Sequence, residues 1–480
     1  MRKDLRPQNV YVLDPCCGTG SYLIEVLNRI AETLREKGGD ALTAQEIKHA
    51  AMERVFGFEI LPAPFVVTHL QIGLLVQSLG APFSDAKKER AGVYLTNALT
   101  GWEPPDGSKP QMLLAFPELL QERDAAERVK QAKPILVILG NPPYNGFAGL
   151  AVEEERDLSQ AYRTAKRAAQ PQGQGLNDLY VRFYRMAERR IVEKTGSGIV
   201  CLISNYSWLD GLSFTGMRER YLERFDRIWI DCLNGDKYKT GKLTPEGEPD
   251  PSIMSTEFNR EGIQVGTAIA LLTRREKSSG TQSVGFRNLW GKGKRAQLLD
   301  EAEKNLTVEY EELRPALELG LPFQPGVVES NYLSWPLLPE LFPVSFPGVK
   351  TSRDDVVVDI DKERLIGRMK QYFDPTLSDQ ELRAVVPSAI TNATRFDAKK
   401  TRRYLIQRGF RPENVVRYCY RPFDDRWLYW EAETKLLDEK RSEYFPHVFE
   451  GNIWLAAVQQ NRKEFDPPVV SRNLCSLHVI

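Results

Sequence analysis

Seven short apolar runs set the limits of what this chain can fold into: 10–13, 55–58, 92–97, 136–139, 199–203, 227–230 and 265–272. Between them lie stretches with apolar residues at helical spacing, such as Leu23, Val26, Leu27, Ile30 and Leu34. Strands alternating with helices in this rhythm predict an α/β fold, a doubly wound, Rossmann-like sheet of about seven strands. After about residue 275 the rhythm stops. Residues 278–281 form a polar link, and the remainder mixes short aromatic strands (427–430), basic helices (397–408) and Pro-rich stretches (321–349). Two domains are expected, 1–277 and 278–480, the second of mixed α+β type, in keeping with a length of 480 residues.

The run 136–139 ends abruptly at Gly140-Asn141-Pro142-Pro143-Tyr144. In open α/β sheets the carboxyl edge of the strands is where ligands sit. Asn141 offers a side-chain carbonyl there, and Pro142 a backbone carbonyl. Tyr144 adds a flat ring. Two acceptors and a stacking face are what a planar exocyclic amine needs if it is to be held and methylated.

The first run leads into Asp14-Pro15-Cys16-Cys17-Gly18-Thr19-Gly20-Ser21. Gly18 and Gly20 allow close approach of backbone to a ligand, and a helix start at Ser21 presents free N–H groups. An ordinary βα turn with a serine cap carries the same residues. The second run ends in Glu59, a carboxylate able to accept both hydroxyls of a ribose. No GxGxxG triad is present, and Glu59 lies beyond the usual fingerprint spacing, so a nicotinamide or flavin is disfavoured. Asn97 closes the third run, where it can meet an adenine edge; a solvated strand end accounts for it equally. Residues 102–133 are expected to be a surface insertion with one short helix, and 145–177 a long mobile loop near the site.

Composition excludes more than it selects. Lys+Arg and Asp+Glu balance at 65 each, so any polyanion site must be local. No stretch has the length of a membrane span, and no leader pattern opens the chain. Six cysteines without a CxxC pair, and four scattered histidines, predict reduced thiols in a cytoplasmic protein with no metal site. Gly235 to Lys242 mimics a phosphate loop but carries Leu243 where a hydroxyl is needed. Asp424 or Asp425 with Glu433-Thr434-Lys435 has the outline of a nuclease centre, a pattern that arises often by chance. Cys16 and Cys17, beside a helix start, suggest reactive thiols.

The pair Asp14-Pro15-Cys16-Cys17-Gly18-Thr19-Gly20 and Asn141-Pro142-Pro143-Tyr144, in this order, resembles the gamma class of N6-adenine DNA methyltransferases. More narrowly, residues 56–61, 94–99, 229–236 and 420–430 are similar to the methyltransferase and target-recognition part of Type ISP (single-polypeptide Type I-like) restriction-modification enzymes. The resemblance implies an S-adenosylmethionine-dependent methyltransferase domain followed by a DNA target-recognition domain. It implies that Asp14, Pro15, Gly18, Thr19, Gly20 and Tyr22 surround the cofactor, that Glu59 holds its ribose and that Asn97 meets its adenine. Asn141 and Pro142 would accept the target amine, with Pro143 and Tyr144 completing the catalytic motif. The target base in double-stranded DNA would be flipped out, and Phe258 resembles a second stacking aromatic, although core packing explains it as well. Lys399, Lys400, Arg402, Arg403, Arg408, Arg411, Arg417 and Arg421 are candidates for phosphate contacts; a solvated helix face explains the first four equally.

Two departures carry expectations of their own. Only nine residues precede Val10, so the segment that closes over the cofactor in such enzymes is expected to be missing or supplied from elsewhere. Nuclease and helicase regions are not in the chain, which implies such subunits, or an upstream part of the same system, as partners. The apolar end, 473–480, suggests a strand cut short in a fragment, a split gene product or a remnant. The competing readings are methylation of an RNA base or of a protein glutamine amide, and a DNA-binding specificity module whose methyltransferase domain is inactive.

Overall fold

The structure, a computed structural model, describes residues 10–36, 40–103, 117–144, 153–326, 331–342, 344–458 and 467–479. Two compact units divide between Leu333 and Ser334. The first is built on nine strands: β1 (Tyr11–Asp14), β2 (Val55–Glu59), β3 (Val93–Leu95), β4 (Ile135–Gly140), β5 (Gly198–Asn205), β6 (Arg227–Asn234), β7 (Thr267–Arg274), β8 (Val284–Asn288) and β9 (Glu311–Leu313). Their order across the sheet is β3-β2-β1-β4-β5-β7-β6-β8-β9. β1 to β5 pair in parallel, and β7 runs antiparallel between β5 and β6. From β1 the chain winds outward through β2 to β3, then returns to β4 on the other side of β1. In open α/β sheets ligands bind outside such a reversal, here at the carboxyl ends of β1 and β4.

Helices link the strands, with α1, α3 and α6 where the apolar spacing predicts them. α1 (Ser21–Glu36) and α2 (Asp40–Glu53) join β1 to β2, and α3 (Pro62–Ser78) joins β2 to β3. α4 (Pro117–Ala132) precedes β4, and α5 (Glu153–Gln160) and α6 (Leu179–Glu188) precede β5. α6 runs into a π-helical turn, Arg189–Thr195. α7 (Thr215–Arg224) follows β5, and α8 (Lys294–Glu303) follows β8. All five residues of β2 are buried, as expected of a strand covered on both faces. One apolar cluster joins Leu13, Phe58, Ile138, Leu202, Tyr184 and Trp208. A second joins Leu23 and Leu27 of α1 to Ile72 and Val76 of α3.

Four expectations are corrected. The sheet has nine strands rather than seven, and the expected boundary after residue 277 falls inside the first unit. β8 pairs with β6 and β9 with β8, and farther on Phe323 packs edge-on against Trp208. Residues 117–133 are no surface insertion: α4 buries Ala126 and Val129, and its Lys130 ammonium donates to Thr96 Oγ1 and to the carbonyls of Asn97 and Thr100. Burial lowers the Lys130 pKa to about 8. Within 145–177, residues 145–152 lie outside the described set, but the rest is ordered around α5, with Tyr162 fully buried.

In the second unit, α9 (Leu338–Leu341), α10 (Asp354–Val357), α11 (Lys362–Phe373), α12 (Asp379–Leu382) and α13 (Ala398–Arg408) accompany two small sheets. One has the order β10 (Val358–Asp359), β12 (Asp424–Tyr429), β11 (Val415–Arg421), β15 (Leu474–Cys475); the other pairs β13 (Trp454–Ala456) with β14 (Val469–Ser471). Asp361 and Asp397 cap the first turns of α11 and α13. The core gathers Leu365, Tyr372, Leu405, Leu428, Tyr429 and Trp430. The apolar end of the chain pairs in parallel with β11 through β15.

Candidate active site at the carboxyl edge of the sheet

β1 ends in Asp14, whose side chain is completely buried. Its Oδ1 accepts the Cys16 N–H at 3.0 Å, while Oδ2 has no partner. Burial, reinforced by the charge of Glu59, pushes the carboxyl up to about 7. A Cβ on Gly140 would come within 2.6 Å of Asp14 Oδ1, so the bare backbone at the end of β4 is what admits the carboxylate.

The turn after Asp14 is held from two sides. Glu59 Oε2, at the end of β2, accepts the Gly18 N–H at 2.9 Å, and Thr68 Oγ1 on α3 donates to the Gly18 carbonyl at 2.7 Å. Gly20 has a φ of +89°, and a Cβ there would meet Thr68 Cγ2 at 2.7 Å. Gly18, with a φ of +55°, has open space where a side chain would be. Pro15 is buried and Thr19 exposed. Tyr22 on α1 is exposed, and partial burial with the neighbouring Asp14 charge pushes its hydroxyl up to about 12.

Glu59 is already partly used. Its Oε1 accepts the N–H groups of Ile60 and Leu61, both at 2.9 Å. With three of about four acceptor positions filled, it can take one further hydroxyl rather than two. Asn97 differs more from expectation. Its Oδ1 caps the Leu99 N–H at 2.9 Å, and its Nδ2 donates to Glu155 Oε1 at 2.5 Å, where Arg182 also pairs. One N–H and one lone pair of the amide are taken by α5 and its own turn, which leaves one donor and one acceptor position.

At the end of β4, the Tyr144 hydroxyl donates to Asn141 Oδ1 at 2.7 Å and reaches the Ile203 carbonyl at 3.4 Å. Its ring stands edge-on to Tyr180, with centroids 6.2 Å apart. Burial holds the Tyr144 hydroxyl far above its ordinary pKa, so it remains a donor. Pro142 is buried and Pro143 exposed. The Cys16 thiol lies against the Asn141 backbone and beside the Asp14 carboxyl; burial and that negative charge push the thiol up, away from a reactive thiolate. The two motifs therefore meet, residue against residue, at one edge. A cavity of about 350 Å³ lies elsewhere, in the second unit, lined among others by Lys350, Asp354, Tyr420, Arg421 and His478.

Residues 340–480 match the family model of the Type ISP C-terminal specificity domain. No curated protein matches the chain. Among solved structures, a nuclease-deletion mutant of the Type ISP restriction-modification enzyme LlaGI, in complex with a DNA substrate mimic, aligns with a TM-score of 0.64. Identity is 20%, over 98% of this chain and 39% of that one. The chain has the fold of the part of that Type ISP enzyme with which it aligns. The DrdV–DNA complex (TM-score 0.60, 21% identity, 98% of this chain and 45% of that one) is similar. So is the ATP-dependent Type ISP enzyme LlaBIII bound to DNA (0.58, 20% identity, 91% and 28%). The chain thus spans less than half the length of each.

In the Type ISP-like second unit the basic candidates separate. Arg402 is inward: it donates to the carbonyls of Tyr372, Asp374 and Leu377 and pairs with Asp379 at 3.0 Å. Four of its five N–H donors are spent inside the unit, which leaves one for a phosphate. Arg408 neutralises the fully buried Glu431, and Arg411 pairs with Glu433 at 2.8 Å. Lys399, Lys400, Arg403 and Arg417 are exposed, and Arg421 is half-exposed over the Tyr420 ring. In the first unit Phe258 is fully exposed, which removes core packing as its explanation. Thr68 and Gly140 had no sequence signal: one is a lone hydroxyl in an apolar helix, the other a glycine before a proline-rich stop. No helix among the described residues is long and apolar enough to cross a membrane.

Proposed function

We propose that this chain is the modification and specificity part of a restriction-modification system, a DNA methyltransferase acting on the N6 amine of a flipped adenine with S-adenosylmethionine as methyl donor. The observation that carries the reading is the contact of the turn after β1 with the end of β4, where a Cβ on Gly140 would meet Asp14 Oδ1 at 2.6 Å and Cys16 Sγ at 3.4 Å. A donor and an acceptor of a small group can be held together only at such a junction.

The residues fit the cofactor. The unpartnered Asp14 Oδ2 suits a ligand bringing positive charge, Gly18 leaves room for it, and Glu59 keeps one acceptor position for a ribose hydroxyl. Thr19, Gly20 and Tyr22 would line the same space. Bound there, S-adenosylmethionine would supply an electrophilic methyl group. The chain's own part is to hold the amine. Asn141 Oδ1 and the Pro142 carbonyl accept its two N–H bonds, which draws the nitrogen lone pair out of the ring and toward the methyl. The Tyr144 hydroxyl, donating to Asn141 Oδ1, keeps the amide oxygen turned to this role while leaving it a second lone pair. No strong base is needed for that step.

Single-molecule sequencing of DNA from a methylation-free host expressing the chain tests the reading. N6-methyladenine at one recurring site is the expected result; unmodified DNA despite a folded, expressed chain contradicts it. The engagement of the Asn97 amide by Glu155 and Leu99 favours a second reading, a DNA-binding module that no longer turns over. Calorimetry separates the two, since the module would bind duplex but not S-adenosylmethionine.

A further inference from the structure

Phe423 sits at the tip of the hairpin joining β11 to β12, and its ring is fully exposed. Its φ is +62°, in the left-handed region that glycine and asparagine enter readily and an aromatic residue enters at a cost. The residue therefore carries two penalties in the free fold, a strained turn and an apolar ring in water. No ring contact within the described residues offsets either. Glycine would relieve both, so the presence of phenylalanine points to something outside the chain.

The surroundings indicate what. Tyr420 is fixed by its hydroxyl, which donates to Asp354 Oδ2 at 2.7 Å. Two guanidinium groups lie over its ring, Arg421 at 4.5 Å and Arg426 at 4.0 Å. Arg426 is paired with Asp424 at 2.7 Å, but Arg421 donates to the Tyr420 carbonyl and has no carboxylate within 4 Å among the described residues. Lower on the hairpin, Arg417 lies over Trp427 at 5.1 Å, with its nearest carboxylate, Asp425, at 4.0 Å. Asp425 in turn accepts from Asn473 Nδ2 at 2.9 Å. An aromatic tip with under-paired cations on its stem matches a base step bordered by phosphates better than it matches an apolar protein pocket.

We propose that this hairpin inserts Phe423 as a wedge between neighbouring base pairs of duplex DNA, with Arg421 and Arg417 on the adjacent phosphates. The inference rests on the reading of the chain as DNA-acting, and it adds a local unstacking device within the specificity unit. An inserted ring unwinds the duplex, which gives a readout that needs no knowledge of the recognised site.

Closed circular plasmid is relaxed by a topoisomerase in the presence of the full chain, and the linking number is compared with that of plasmid relaxed alone. Mobility shift sets equal occupancy for each variant. The wild type is expected to shift the linking number, Phe423→Trp to keep most of the shift, and Phe423→Gly to lose it, with roughly tenfold weaker duplex binding. The Phe423→Gly variant should melt at or above the wild-type Tm, because it removes the strain. A Phe423→Gly variant that binds and unwinds like the wild type overturns the wedge and leaves the DNA reading standing. A drop of several degrees in its Tm would show that the ring packs in the free fold, which also overturns it. Failure of the wild type to bind duplex defeats both readings. Phe423-dependent binding to phosphatidylglycerol vesicles, without duplex binding, would reassign the tip to a membrane surface.

Discussion

Arg218 and Asp14 belong to the same unit, both completely buried, and the fold treats them in opposite ways. The Arg218 guanidinium donates to the carbonyls of Trp208 (2.7 Å), Gly211 (2.9 Å) and Gly320 (2.8 and 3.2 Å). Burial lowers its pKa to about 10, which still leaves it charged at neutral pH. Asp14 receives one N–H on one oxygen and nothing on the other, and its carboxyl is pushed up to about 7. A charge that ties three chain segments together has been given a full set of partners. One at the junction of two strand ends has been left short. Incomplete satisfaction of a buried ionisable group, beside an open turn, is a mark of a site shaped for a ligand.

That contrast can be broken by substitution. Asn141→Ala should reduce methyl transfer by about 10²–10³-fold while the Tm and the cofactor Kd stay close to wild type, because under the proposed function its amide oxygen holds the amine and the Tyr144 hydroxyl keeps the Ile203 carbonyl as a partner. Turnover near wild type would remove the edge from the chemistry. Arg218→Met should do the reverse, costing about 3–5 kcal/mol in urea unfolding, since two buried carbonyls and one half-buried one lose their donors. A loss below about 1 kcal/mol would mean that the knot is not structural.

Asp14→Asn sharpens the comparison through pH. Burial raises the Asp14 carboxyl above its unfolded value of 3.8, so its share of stability is whole below about pH 4 and lost as pH rises through about 7. The neutral variant should therefore match the wild type at pH 4 and exceed it at pH 8, by roughly 2–4 kcal/mol. Parallel Tm–pH curves for the two proteins would contradict the assigned protonation. Glu59→Ala should give the smallest effect, raising the S-adenosylmethionine Kd by about tenfold in calorimetry through loss of one charge-assisted contact and of the Gly18 anchor. An unchanged Kd takes Glu59 out of the site.

The first seven strands were legible because each is a buried apolar run, and the two motifs because each stops such a run at the same edge. β8 and β9 were not legible. Val284–Asn288 is short and broken by Gly285 and Arg287, and Glu311–Leu313 begins with two carboxylates. Both are strands by virtue of the neighbour they pair with, and that neighbour is distant in sequence. The same holds for side chains. Asn97 reads as a free strand-end amide until Glu155 arrives 58 residues later. Arg402 reads as one more cation on a basic helix until carbonyls from 372 to 377 close around it. Local pattern reports which residues must be covered; it does not report which polar group will be consumed by a neighbour from another part of the chain.

The peptide of Gly18 is gripped at both ends, its N–H by a strand-tip carboxylate and its carbonyl by a helix hydroxyl. The position that would wander most in an isolated peptide is thus immobilised before anything binds. Its amide should exchange with deuterium as slowly as those of the flanking helix. Ligand capture at that turn should then carry almost no ordering penalty, leaving association limited by encounter rather than by rearrangement.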